Sequence, residues 1–244
     1  MKSFLGGLTV LAVISVAVGL WLRGEQYTWY QITTINVDTP DGPVSGSGEV
    51  RVRLTVPPNI SFMGSAYEWQ ITGEAAVVDL PDGRHVFAMI VDETEREWPD
   101  VIARRVARRT MGLERLTREN AGSWVATVLS EGDRDIPLTD REVPTLVTFL
   151  NESEPASIQD LANTTAVREV LGEGFAVLGV TIRFSEVSTE PEQVLAALPW
   201  LESKQGLFSR NGQPCDVCPR QGSFNSDPEF SDRIHSGHFV RPMP

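Results

Sequence analysis

The segment that most constrains the fold of this chain reads EVRVRLTV, from Glu49 to Val56. Its apolar and polar residues alternate, which places the apolar side chains on one face of a β-strand and the polar ones on the other. A strand of this kind is typical of an antiparallel sheet with one buried face and one wet face. The preceding stretch YTWYQITTINV is rich in aromatic and β-branched residues, and the DTPDGPVSGSG between them is rich in turn-forming residues. We therefore predict a β-hairpin.

A second hairpin is predicted from YEWQITGEAAVVDL and RHVFAMIV, which flank the turn formers Pro81, Asp82 and Gly83. Residues 25–91 would then contain four antiparallel strands. Further strands are predicted over 144–151 and 175–187, and helices over 98–112, 165–171 and 189–204, the last bent or ended early by Pro199. Residues 123–138 fit a strand as well as a helix. In the strand at 175–187 one face is apolar: Ala176, Leu178, Val180, Ile182 and Phe184.

The amino-terminal stretch from Ser3 to Leu22 carries no charged residue. As a helix rising about 1.5 Å per residue it would reach roughly 30 Å, the thickness of the hydrocarbon core of a bilayer. We predict an uncleaved transmembrane anchor over residues 1–23; a cleaved signal peptide, with Ser15 and Ala17 before the cut, and a buried helix are the alternatives. The apolar positions of the predicted anchor are Phe4, Leu8, Leu11, Ile14, Val18, Trp21 and Leu22.

The anchor also predicts a location and a division of the chain. Lys2 precedes it, whereas Arg23 is followed closely by Glu25, so the positive-inside rule favours an amino terminus in the cytoplasm and a periplasmic domain. We predict a single-pass protein of a bacterial inner membrane. The fold class is predicted as α+β: a transmembrane helix, then a largely antiparallel sheet domain with a few helices over 24–204, then an extended or disordered tail over 205–244.

Four stretches resemble a family of uncharacterised alphaproteobacterial envelope proteins; in chain order they are VDTPDGPVSGSGEVRV, TGEAAVVDLPDG, PTLVTF and LPWLES. The resemblance covers roughly residues 35–204 and omits both cysteines. Its motifs are turns and packed strands, so it implies an architecture and an envelope location but no activity.

The charge pattern bears on possible partners. A formal net charge of -12 disfavours the binding of nucleic acid, because an acidic chain repels phosphate backbones. Against this background, ARRVARRT aligns four arginines along one side of the helix predicted over 98–112. This arginine stripe predicts contact with anionic lipid or with an acidic protein partner. The alternative is a solvated face with no partner. Its members are Arg104, Arg105, Arg108 and Arg109.

Both cysteines, Cys215 and Cys218, lie in the predicted tail. A redox centre is disfavoured, because no buried strand precedes the pair and a proline follows it. With His235 and His238 the pair forms the pattern C-x2-C-x16-H-x2-H, whose residue types suit tetrahedral zinc. An oxidising compartment favours a disulfide. We predict a structural disulfide and no metal; a pair of thiols with no special role and a zinc-binding adaptor tail are the alternatives.

No catalytic residue is predicted. His85 would be needed for a serine triad in the globular part, and no G-x-S-x-G elbow accompanies it. Asp79, Asp82 and Asp92 lie near strand ends, where two of them could form an acid/base pair, although Asp82 suits a turn. SGSG at 45–48 precedes a strand and is no phosphate loop, and no cofactor signature is present.

We therefore predict a membrane-tethered, extracytoplasmic interaction or assembly subunit without catalysis. Its expected partners are membrane lipid, through the anchor, and a protein of the envelope. An envelope hydrolase that uses a carboxylate pair is the alternative from a different functional class.

Overall fold

The computed structural model describes residues 24–56, 67–91, 97–188, 193–203 and 234–241. Within these ranges the chain forms four α-helices and ten strands. The helices are α1 Trp98–Met111, α2 Ala121–Gly132, α3 Thr164–Leu171 and α4 Val194–Ala197. The strands are β1 Glu25–Asp38, β2 Val44–Val56, β3 Glu68–Glu74, β4 Ala76–Asp79, β5 His85–Ala88, β6 Ile136–Pro137, β7 Leu146–Phe149, β8 Ile158–Asp160, β9 Ala176–Ser185 and β10 Val240–Arg241.

The described strands form two antiparallel sheets. The first sheet has the order β10-β3-β2-β1-β9-β6, and the second has the order β4-β5-β7-β8. The predicted hairpin of β1 and β2 is confirmed and pairs along its whole length, from Glu25 opposite Val56 to Val37 opposite Val44. The predicted alternation in β2 is also confirmed: its buried positions are Val50, Val52, Leu54 and Val56.

The predicted strand YEWQITGEAAVVDL is in fact two strands that belong to different sheets. The chain leaves the first sheet after β3 and enters the second at β4, and Ala75 between them donates its N–H to Phe239 O at 2.7 Å. The second sheet crosses close to β2 at this point. A Cβ on Gly46 would lie 1.8 Å from Val77 O, and one on Gly48 would lie 2.4 Å from Ala75 O. The glycines of SGSG therefore permit this close crossing of two backbones.

The predicted fold class is wrong in its first element, the membrane-spanning helix. Across the described ranges, no helix combines the length and the apolar character needed to cross a membrane. The longest, α1, has 14 residues, about 21 Å at 1.5 Å per residue, which is shorter than the hydrocarbon core. Residues 1–23, with every predicted anchor position from Phe4 to Leu22, lie outside the described residues. The part that the structure describes is a sheet-rich domain with antiparallel sheets and helices.

Two hydrophobic clusters fill the domain. The larger one joins α1 and α2 to the first sheet, with Trp29 fully buried between Trp69 and Trp124. The smaller one packs α3 against the second sheet and the far end of β1. The ambiguous segment 123–138 resolves into α2 followed by β6, because Trp124, Val125 and Val128 lie on one helical face and are buried.

The predicted apolar face of the strand at 175–187 is correct only in its second half. Val180, Ile182 and Phe184 are buried, but Leu178 is 59% exposed. The register explains the difference: Asn36 pairs with Gly179 and Val37 pairs with Val177, so that Leu178 is the extra residue of a β-bulge. A bulge leaves one residue unpaired and turns its side chain away from the regular alternation.

The prediction of an extended or disordered tail over 205–244 is wrong for residues 234–241, the part of the tail that the structure describes. Residues 234–241, which we call the C-terminal segment, pack into the domain. Ile234, His238 and Phe239 are fully buried, and β10 adds an edge strand to β3. Ring stacking explains this packing, because Phe239 lies edge-to-face on Phe87 and close to Phe149.

Candidate functional site

The arginine stripe lies on the outer side of α1. The inner side buries Ile102, Ala103, Val106 and Ala107, and this spacing leaves the four arginines exposed or half-exposed. They line a cleft of about 490 Å³ that we call the arginine cleft. Its lining residues are Val101, Arg104, Arg105, Arg108, Arg109, Glu114, Arg115, Leu116, Trp124 and Glu142.

Arg109 is held by a carboxylate at the wall of the cleft. Its Nε donates to Glu142 Oε1 at 3.0 Å and its Nη2 lies 2.9 Å from Glu142 Oε2. The Glu142 side chain is only 7% exposed and also accepts hydrogen bonds from the N–H and hydroxyl of Thr139. Burial alone would raise the pKa of Glu142, but the hydrogen bonds from Arg109 and Thr139 outweigh it and hold this pKa below its usual range. The pair thus fixes the loop before β7 against α1.

Two further arginines of the stripe are also engaged. Both Asp100 carboxylate oxygens accept hydrogen bonds at 3.0 Å from Arg104 Nη2, and the guanidinium lies 5.7 Å from the centre of the Trp69 ring. Arg105 donates from Nη1 to the main-chain oxygen of Arg141 at 3.0 Å. These contacts restrict both side chains, although both residues are exposed.

Arg108 and Arg115 differ from the other arginines of the cleft. Within the part of the chain that the structure describes, neither guanidinium has a hydrogen-bond or ion-pair partner. Arg115 was missed by the sequence analysis because it lies beyond α1. Gly112 takes the left-handed conformation, with φ 63°, and Leu113 N–H bonds back to Ala107 O, which turns the chain toward the cleft. Gly112, which predicts the end of the helix, was the one sequence signal that the chain turns before Arg115.

The charge of the arginine cleft is opposite to that of the whole chain. Five arginines line it against two glutamates, whereas the chain carries a net charge of -12. One of the glutamates, Glu142, is already neutralised by Arg109. A concave surface focuses the field of its charges, so the cleft attracts anionic groups that most of the acidic surface repels.

The candidate acid/base residues serve other contacts. Asp82 accepts hydrogen bonds from the N–H and guanidinium of Arg84, and this holds the predicted turn; Arg84 lowers the pKa of Asp82 mainly by that side-chain bond. Asp79 Oδ1 lies 3.3 Å from His85 Nε2, and Glu152 Oε1 lies 2.5 Å from His85 Nδ1. Both nitrogens of His85 thus face carboxylates and neither is directed at a serine. Asp92 lies outside the described residues.

The predicted disulfide of Cys215 and Cys218 lies outside the described residues, as does the cysteine half of the zinc pattern. Of the histidine half, His238 is fully buried, and His235 Nδ1 accepts a hydrogen bond from Gly237 N–H at 3.0 Å. An accepting Nδ1 places the proton of a neutral imidazole on Nε2, where a zinc ligand needs a lone pair. In the described ranges, no group of three or more His, Cys, Asp and Glu side chains is arranged to hold a metal ion.

Among the described residues, the arginine cleft therefore combines two guanidinium groups without partners and three that are held in place, and Leu116 and Trp124 also line it. Guanidinium groups bind carboxylates and phosphates through paired, charge-assisted hydrogen bonds. The site is suited to holding an anion. No family model, curated protein or solved structure matches this chain.

Proposed function

We propose that this protein is a non-catalytic interaction subunit whose arginine cleft binds an acidic segment of a partner protein. The observation that carries the proposal is the pair Arg108 and Arg115, whose guanidinium groups lack partners among the described residues and line the same concave surface. Arg104, Arg105 and Arg109 are already restrained, so less side-chain freedom is lost when a ligand binds beside them.

A protein segment fits the cleft better than a membrane or a nucleic acid does. A bilayer surface is broad, whereas these arginines line a concavity of about 490 Å³. A polyphosphate chain would be repelled by Glu114 at the cleft and by the net charge of -12. A carboxylate side chain inserted between the arginines carries less negative charge than a polyphosphate, so both repulsions are smaller for it. The envelope location remains a prediction. If the protein lies there, the partner would be another protein of the envelope.

The proposal is tested by titrating the purified full-length chain with a fluorescent octapeptide of alternating glutamate and glycine, followed by anisotropy. We expect binding that weakens as salt is raised, because exposed charges are screened. The same peptide with glutamine in place of glutamate should not bind. Anionic vesicles and inorganic phosphate, added as competitors, should displace the glutamate peptide only weakly.

Matched variants separate a specific cleft from a general charge effect. Arg108→Gln combined with Arg115→Gln should weaken binding by about tenfold or more, since each charged hydrogen bond contributes about 1.5–3 kcal/mol before screening. Arg104→Gln removes one charge from the same helix but one already paired with Asp100, so it should weaken binding by less than about threefold. Equal affinity of the double variant and the wild type, or stronger displacement by vesicles than by acidic peptide, would reject the proposal.

A further inference from the structure

We propose that the C-terminal segment, residues 234–241, positions the arginine cleft and that its release lowers the affinity of the cleft for an acidic peptide. The inference rests on the proposed function, because it concerns the regulation of the same site. It assigns a positioning role to Trp98, to Ile90 and to the anchor residue Phe239, none of which lines the cleft.

The C-terminal segment is attached to the domain as a peptide ligand would be. Thirty residues, 204–233, separate it from the 3₁₀ turn at Pro199–Glu202 and Ser203. It adds two residues to the edge of β3, and Phe239 O accepts a hydrogen bond from Ala75 N–H. The Phe239 ring fills a fully buried position, 5.7 Å from the centre of the Phe87 ring. This is strand addition with the Phe239 ring as a buried anchor.

The docked segment is joined to the start of α1 through one residue. Ile90 N–H donates to His238 O at 2.9 Å, and Ile90 O accepts from Trp98 N–H at 3.0 Å. Trp98 is the first residue of α1, the helix that carries the arginine stripe. The main chain of Ile90 therefore lies between the segment and the helix, and a shift of one strains the hydrogen bond to the other.

From Trp98 the contacts continue to the wall of the cleft. Its indole Nε1–H donates to Glu142 O at 2.9 Å, and the Glu142 carboxylate holds Arg109 by a hydrogen bond and an ion-pair contact. At the same helix end, the buried Gln31 donates from Nε2 to Pro99 O at 3.0 Å and ties the helix to the first sheet. Loss of the C-terminal segment would remove the hydrogen bond from Ile90 N–H to His238 O, so that Ile90 would hold the start of α1 less firmly. The cleft wall would then lose its fixed position relative to Arg108.

The test compares the binding of the glutamate peptide to the wild-type chain and to two full-length variants, Phe239→Leu and Trp98→Phe. Phe239→Leu weakens the anchor without emptying its site, and Trp98→Phe removes the indole N–H that donates to Glu142 O while an aromatic ring stays at that position. We expect both to reduce affinity by roughly 2- to 30-fold, the range found for mutations that act on coupling between sites. We also expect faster amide exchange at Ile90 and Trp98 in the Phe239 variant.

Leu171→Ala supplies the matched control, because Leu171 is buried in the smaller hydrophobic cluster, away from this route. It should lower stability while leaving affinity unchanged. A second measurement avoids substitution in the core: a protease site placed within 204–233 allows the segment to be cut from the chain and separated by dilution. Dilution of the cut protein should release the segment and lower the affinity for the glutamate peptide. Dilution of the intact protein should leave that affinity unchanged.

Unchanged affinity in Phe239→Leu and in the cut, diluted protein would overturn the coupling. If these proteins still require Arg108 and Arg115 for binding, the proposed function survives that result. Loss of binding by Leu171→Ala to the same extent would also overturn it, since the effect would then be a general one of stability.

Discussion

Replacing Phe239 by alanine should destabilise the domain, because the C-terminal segment loses a fully buried aromatic side chain. The ring is fully buried and lies 5.7 Å and 6.0 Å from the centres of the Phe87 and Phe149 rings. Phenylalanine-to-alanine changes in protein cores cost about 3–5 kcal/mol, which combines the lost transfer free energy with that of the cavity. We expect a loss in this range in the free energy of unfolding of the full-length chain.

The assay is urea unfolding followed by tryptophan fluorescence. Trp200 is a local probe of the region around Phe239, because its ring packs on that of Phe149 at 5.7 Å between centres. The control is Leu178→Ala, which removes an apolar side chain that is 59% exposed at the bulge of β9. Surface changes of this kind stay within about 0.5 kcal/mol. A loss below about 1 kcal/mol for the Phe239 variant would refute the view that the C-terminal segment belongs to the core.

Two other predictions concern the crossing of the sheets and the wall of the cleft. Gly46→Ala should destabilise by about 3 kcal/mol or more in the same assay, because its Cβ would meet the backbone oxygen of Val77 at 1.8 Å. Gly122→Ala in α2 is the control and should be neutral or stabilising, because its Cβ would meet the Tyr27 side chain, with the hydroxyl nearest at 3.1 Å. Similar effects of the two changes would contradict the crossing. The lowered pKa of Glu142 stabilises the fold above the usual glutamate value of about 4.3, and this contribution is lost as pH falls through the lower folded value. The difference in unfolding free energy between wild type and Glu142→Gln should therefore shrink in acid, and a pH-independent difference would argue against that ion pair.

Local patterns were sufficient to predict much of the secondary structure. The alternation in β2 and the proline and glycine boundaries of α1 depend on neighbours in sequence, and the structure confirms both. The break between β3 and β4 was missed because Ala75 is directed by Phe239, a residue far along the chain. Leu178 was misassigned because a bulge depends on the register with β1, which the strand's own pattern does not contain.

The arginine cleft, too, could be predicted from the sequence only in part. The spacing of the four arginines on α1 predicted a shared face, and the structure places all four at one cleft. Arg104 is held by Asp100 on the same helix, but Arg105 and Arg109 are held by the carbonyl of Arg141 and by Glu142, in a loop more than thirty residues away. Arg115 joins the cleft only because the chain reverses at Gly112. Tertiary contacts, which single-sequence patterns do not encode, thus restrain Arg105 and Arg109 and bring Arg115 to the cleft.

The most direct measurement follows the arginine Nε–Hε signals by nuclear magnetic resonance while the glutamate octapeptide is titrated into the full-length chain. The signals of Arg108 and Arg115 should shift most and saturate together, and that of Arg109 should move little because Glu142 holds its Nε. Absence of any shift at Arg108 and Arg115 at peptide concentrations that saturate anisotropy would contradict the proposal that these two residues bind the acidic segment.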